Sequence, residues 1–283
     1  MRDPSFPTWK HLLILVVLYF GGTILGSIPA VVIALANGGA EFDQGYLQTA
    51  LSQTAPIAMG VPLILCILYG WRKLGRPKWT LGFENVGLMP GAFAVIGTLL
   101  VANGVTMIAE YLPLYEGFVE MMKEAMIPSI GMGIAVVLGA PILEEALLRG
   151  VVLRGYLRKI SPTKAILFSG LIFGAMHLHP VHVFFASIVG FALGYVYYRT
   201  RSLGLVILIH FINNGASYYL GQQGLPDSSE ELLGVSMWGV FGLAALLTGL
   251  GVLALWYMGR NYPLVPAPEE DEPVLEPVTE PVV

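Results

Sequence analysis

Apolar positions along this chain come in long unbroken runs, not in alternation and not as one face of an otherwise polar helix. Stretches free of Asp, Glu, Lys and Arg cover 11–40, 44–71, 85–109, 125–143, 165–198, 202–226 and 232–259. A helix needs about 20 apolar residues to cross a bilayer. Six runs hold one crossing each, the run 125–143 being extended past its charged end. The seventh, 165–198, has room for two short crossings around a turn at His177-Leu-His-Pro-Val-His182. The pattern predicts an all-α polytopic membrane bundle of about eight transmembrane helices. Residues 112–127 set Glu116, Glu120, Lys123 and Glu124 among apolar neighbours, which predicts an amphipathic helix on the outer surface. The first run has no small-residue cleavage site after a short apolar core and reads as a retained anchor.

Composition agrees with this pattern. Of 283 residues, 55% are hydrophobic and 12% charged, about half the charged share of a soluble domain. The net charge of −4 comes from the C-terminal stretch, where six of the 19 acids fall within 269–280. The remainder is close to neutral, so no nucleic-acid-binding surface is implied. Basic residues then orient the spans. With the N-terminus cytoplasmic, Arg2, Lys10, Arg72, Lys73, Arg76, Lys78, Arg154, Arg158, Lys159, Lys164, Arg199, Arg201 and Arg260 all fall inside, and the outer loops keep only Lys123. Glu41, Asp43, Asp227, Glu230 and Glu231 fall outside. Both termini are therefore expected in the cytoplasm, and the modest loops suit a bacterial inner-membrane protein.

Four regions follow from this count. Residues 1–84 hold the first two spans and a cytoplasmic loop, 85–221 a helical core, 222–262 an outer loop and the last span. Residues 263–283 form a tail of Pro, Glu and Val with too little apolar mass to fold. The lone Cys66 permits no disulfide and reads as a small buried hydrophobe. The 34 glycines suit close helix packing in lipid, as in Gly190-Phe-Ala-Leu-Gly194.

Ionisable groups inside a span are costly, and so they point to function. Three clusters qualify. Glu144-Glu145-Ala-Leu-Leu-Arg149 lies in the fourth span, Phe173-Gly-Ala-Met-His177 ends the fifth, and His210-Phe-Ile-Asn213-Asn214 lies in the seventh. Glu145 and Arg149 are i and i+4 with the acid first, the favourable order for an ion pair. Glu144 points about 100° away and is left free to act as a general base. His210 and Asn214 share a helix face, as do Phe173 and His177. Depth supports convergence. Glu144 lies about 22 Å from the basic boundary at Lys159, His177 about 20 Å from Lys164, and Asn214 about 20 Å from Arg201, if the helices are straight. The site is thus expected between spans four, five and seven. His179 and His182, beside Pro180, read as interfacial; His11 and Asn213 read as bystanders.

These pieces resemble the motifs EExxxR, FxxxH and HxxxN of the CPBP family, the CAAX-processing and bacteriocin-processing intramembrane endopeptidases also called Abi. Glu144, Glu145, Arg149, Phe173, His177, His210 and Asn214 meet all seven positions, and the resemblance covers about residues 85–220. It implies hydrolysis of a peptide bond in a membrane-associated substrate, such as a prenylated CAAX or leader-type peptide. Glu144 and His177 would activate water, and His210 and Asn214 would stabilise the oxyanion. Glu145, Arg149 and Phe173 would support them. No cofactor is favoured, and zinc held by Glu144, His177 and His210 is the alternative. A proton-relaying transporter and a non-hydrolytic scaffold are the competing classes; against transport, no inverted repeat is visible.

Overall fold

The computed structural model describes residues 3–38 and 44–267. The expected disorder of the tail beyond 267, and the acids Glu41 and Asp43, lie outside the described residues. The chain builds helices α1 (Trp9–Gly38), α2 (Gln44–Gln53), α3 (Ala55–Lys73), α4 (Leu88–Ala109), α5 (Tyr115–Ala125), α6 (Ile130–Leu157), α7 (Pro162–Ala175), α8 (Pro180–Thr200), α9 (Leu203–Leu220), α10 (Ser229–Leu233) and α11 (Met237–Asn261). No strand occurs among the described residues.

Seven of these helices, α1, α3, α4, α6, α8, α9 and α11, are long and apolar enough to cross a bilayer. The expected eighth span is α7, and it falls short at 14 residues, about 21 Å of helix against a hydrocarbon core of about 30 Å. Pro180 sets the reason. It starts α8 at the first turn, where proline fits, and α8 takes 21 residues of the shared apolar run. The run 44–71 also divides, at Thr54, into the short α2 and the crossing α3.

One end of the bundle gathers the basic segments. Asp3 meets Lys73, Lys159 donates to the Ser5 carbonyl, and Arg154 donates to the Lys78 carbonyl. The Leu81 carbonyl accepts from the Ser202 hydroxyl and the Gly204 amide, and Arg199 donates to the Tyr262 carbonyl. The opposite end holds Lys123 against Asp227, and Glu110 capping Ser229 at α10. Helix α7 therefore reverses the chain as a full span would, and both described ends of the chain emerge together. As expected, α5 is amphipathic; Phe118 is its buried residue.

In lipid, packing and close backbone approach replace hydrophobic drive between helices. Large apolar residues accordingly face outward, Ile24 and Leu88 among them, while small ones face inward. Helices α4 and α11 pack so closely that a Cβ on Gly251 would stand 2.6 Å from the Gly97 carbonyl oxygen. Gly190 of α8 lies against Gly170 of α7 in the same way, which brings the α8 backbone to the centre of the bundle.

Residues 3–8 are pinned across the basic end. Phe6 is buried against Gly70 and Gly155. Asp3 accepts from the Ser5 hydroxyl at 2.7 Å and from Lys73 at 3.2 Å. Those contacts, the Ser5 hydroxyl foremost, hold the Asp3 carboxyl down to about 2 from its ordinary 3.8, against partial desolvation.

Two outcomes are expected. Gly251→Ala forces α4 and α11 apart and costs about 1–3 kcal/mol, read as a lower thermal midpoint in detergent. Because the Asp3 carboxyl is held low, its contribution to stability is complete above about pH 4 and disappears as pH falls toward 2. Asp3→Asn removes that segment of the pH–stability curve and leaves the rest unchanged.

Candidate active site

Helix α6 carries both glutamates, and its backbone is not a uniform α-helix. Ser129 caps it by accepting from the Met132 amide at 2.9 Å. Two π-helical stretches, Ile134–Gly139 and Leu148–Leu153, then flank the α-helical segment Ala140–Leu147. Pro141 accounts for the first. It has no N–H, and in a regular helix its ring would collide with the carbonyl four residues back. The Ala140 amide instead reaches five residues back, to the Ala135 carbonyl. The next donor in that ladder would be Pro141, which has none, so the Val136 carbonyl needs a partner from elsewhere. Asn214 of α9 supplies it, donating from Nδ2 at 3.1 Å.

At the centre, Glu145 and Arg149 are fully buried and paired, with Nε to Oε2 at 3.1 Å and Nη1 to Oε1 at 3.2 Å. Arg149 also donates to the Gly190 carbonyl at 2.9 Å and stacks its guanidinium over the Phe173 ring at 5.0 Å. The expected pair is present, but Glu145 does more than close it. Its Oε1 accepts from His210 Nδ1 at 2.9 Å. A carboxylate only accepts, so Nδ1 carries a proton, and Nε2 points to the other side. There it meets Glu144 Oε2 at 4.0 Å. The expectation that Glu144 stands without a partner is thus corrected: His210 of α9 lies against both acids, Nδ1 on Glu145 and Nε2 toward Glu144, a contact between helices that spacing along one helix does not report.

His177 follows the last turn of α7, just before Leu178, whose φ of +62° marks the reversal into α8. Its Nδ1 donates to the Phe173 carbonyl at 2.9 Å, leaving Nε2 as the lone-pair nitrogen of the neutral ring. The Phe173 ring stands edge-on to His177 at 5.2 Å and to His210 at 5.6 Å. One buried phenyl group therefore spaces both histidines and seats Arg149. Asn214, one turn beyond His210, uses one amide proton on Val136 and keeps a second, while Asn213 donates weakly to its Oδ1 at 3.4 Å. Glu144, His210, Phe173 and His177 are linked through these contacts between α6, the end of α7 and α9, and Asn214 lies one turn beyond His210 with its amide on the Val136 carbonyl.

One residue read as interfacial in the sequence stands closer than expected. His182 packs its ring on His177 with centroids 3.9 Å apart. Its signal was weak because it belongs to no spaced motif.

The donor set also bears on zinc. Among the described residues, no three His, Cys, Asp or Glu side chains are grouped to hold a metal ion. Both Nδ1 atoms are committed, His177 to a carbonyl and His210 to Glu145, which leaves Nε2 as the available nitrogen of each ring. Glu144, His177 and His210 are not grouped as a three-ligand set in this arrangement.

Removing one partner of the central pair strands a charge in the membrane. Arg149→Met should cost about 3–5 kcal/mol, with Glu145→Gln/Arg149→Met losing less than the single variant, as measured by denaturation in detergent. Equal stability of all three proteins would show that the pair holds nothing together.

No curated protein and no solved structure gives a significant match to the chain. Residues 126–216 match the family model described as type II CAAX prenyl endopeptidase Rce1-like. That segment contains α6 to α8 and α9 as far as Ala216, and with them every residue of the three motifs. The glutamates, histidines and asparagine of the three motifs thus lie within the stretch of the chain, about a third of its length, that is similar to the Rce1-like type II CAAX prenyl endopeptidases.

Proposed function

We propose that the chain is a membrane-embedded endopeptidase that cleaves a CAAX-type prenylated peptide by glutamate-activated water, without a metal. The observation that carries this reading is the chain of contacts Arg149, Glu145, His210 and Glu144 inside the Rce1-like segment. Arg149 fixes Glu145, Glu145 fixes the His210 ring, and His210 presents Nε2 beside the second carboxylate. Orientation of an imidazole by a buried carboxylate is the geometry by which hydrolytic sites hold a working tautomer.

The chemistry follows from these groups. The Glu144 carboxylate takes a proton from water, whose oxygen attacks the scissile carbonyl carbon. The His177 Nε2 lone pair accepts the second hydrogen of that water and orients it. The developing oxyanion receives the unused Asn214 amide proton, and His210, when its ring is protonated at Nε2 as well as at Nδ1, donates beside it. When the tetrahedral intermediate collapses, the C–N bond breaks and the Glu144 carboxyl returns its proton to the leaving amine. Glu145, Arg149 and Phe173 hold these groups in place. The basic end of the bundle, with both described chain ends, faces the cytoplasm of a bacterial cell in this reading, on the strength of the positive-inside rule.

The test is cleavage of a farnesylated CAAX peptide by the full chain in liposomes. Glu144→Ala and His177→Ala should each lower kcat at least about a hundredfold while keeping the thermal midpoint. Normal rates in both variants would remove the catalytic assignment. A chelator should leave the wild-type rate unchanged; loss of activity restored by zinc would return Glu144, His177 and His210 to the role of ligands.

A further inference from the structure

His177 presents a mechanical problem that His210 does not. His210 lies inside α9 and is anchored by a buried carboxylate. His177 lies beyond the last residue of α7, on a two-residue turn that leads into the left-handed Leu178. Backbone of this kind holds a side chain less firmly than a helix does, and a site loosened by even 1 Å loses much of its rate. A hydrogen bond from Nδ1 to the Phe173 carbonyl at 2.9 Å fixes one edge of the ring, and a single bond of this kind leaves the ring free to tilt about it.

The second support comes from outside the three motifs. His182, in the first turn of α8, lies 3.9 Å from His177 between ring centroids, tilted by 48°. It is backed in turn by Phe185, stacked at 4.7 Å, and by Phe118 of α5 at 5.3 Å. Phe118 also meets His179 at 5.2 Å. The His177 ring thereby meets two others, Phe173 at 5.2 Å and His182 at 3.9 Å. The amphipathic helix α5 completes the backing through its one buried residue.

We propose that His182 is a positioning residue for His177, acting by ring packing that is braced from behind by Phe185 and by Phe118 of α5. The proposal rests on the proteolytic reading above for its kinetic effect, and on the ring contact alone for its structural one. In this role His182 takes no part in the chemistry; it restricts the tilt of the ring that does. A flat ring of similar size should therefore replace it, and a methyl group should not.

The experiment compares His182→Ala, His182→Phe and Phe118→Ala in full-length protein with the farnesylated CAAX peptide. His182→Ala should lower kcat about tenfold to a hundredfold, in keeping with the cost of a misplaced catalytic group, with KM within twofold of wild type. His182→Phe should restore most of kcat, and Phe118→Ala should show a smaller loss than His182→Ala. The second readout is the imidazole nitrogen spectrum of protein labelled only at its five histidines. The His177 signals should move in His182→Ala and keep the wild-type tautomer pattern in His182→Phe. Wild-type kcat in His182→Ala with unmoved His177 signals would overturn the proposal. So would a folded His182→Phe as slow as His182→Ala, since that would make the imidazole itself necessary. If Glu144→Ala cleaves normally, the proteolytic reading fails, and the His177 spectrum still decides the packing role.

Discussion

A guanidinium and a carboxylate sealed inside a membrane bundle must satisfy each other or unfold it. Arg149 and Glu145 have no access to water, and moving such ions out of water costs several kcal/mol apiece. The structure meets that cost by surrounding the pair with groups from four helices. Glu145 and Arg149 come from α6, the Gly190 carbonyl from α8, the Phe173 face from α7, and the His210 N–H from α9. Each of these contacts depends on the others being in place. The pair therefore works as a node, and the helices that carry the proposed catalytic groups converge on it.

The backbone of α6 serves the same end. At membrane depth, carbonyls without donors are tolerated only where protein covers them. Pro141 removes a donor and the adjoining wide turns redistribute the rest, and the vacancy at Val136 is filled by Asn214. The asparagine is thus placed by a defect in the neighbouring helix, and that placement leaves it one proton to spare. Wide turns of this kind often occur at functional positions. Here they flank the regular segment that carries Glu144 and Glu145, which meet opposite nitrogens of one imidazole.

Fixing two histidines by different means gives them different capacities. His210 has Nδ1 committed to a carboxylate, so any part it takes in stabilising an oxyanion runs through Nε2. His177 has Nδ1 committed to a carbonyl, and its Nε2 is free to orient water. Phe173, edge-on to both, keeps them apart without offering either a hydrogen bond. In an environment with little water, fixed donors of this kind act strongly on developing charge.

Much of this molecule is written in one dimension. The crossing helices are legible because each has to supply its own apolar length, and the Glu145–Arg149 pair because i and i+4 are neighbours in any helix. The spaced motifs name the residues of the site for the same reason. What the linear pattern does not hold is the rotation and approach of one helix against another. Glu145 meets His210 across 65 residues of sequence, and no periodicity reports that contact. The short α7 was hidden because hydropathy measures the length of an apolar run and not how two helices divide it. His182 read as interfacial because it follows Pro180 in an expected turn, whereas its neighbours in space are His177, Phe185 and Phe118. Local spacing determined which side chains were available and on which face they began. Tertiary packing decided which of them touch, because close approach at small residues and donors displaced by proline are settled only when the helices are brought together.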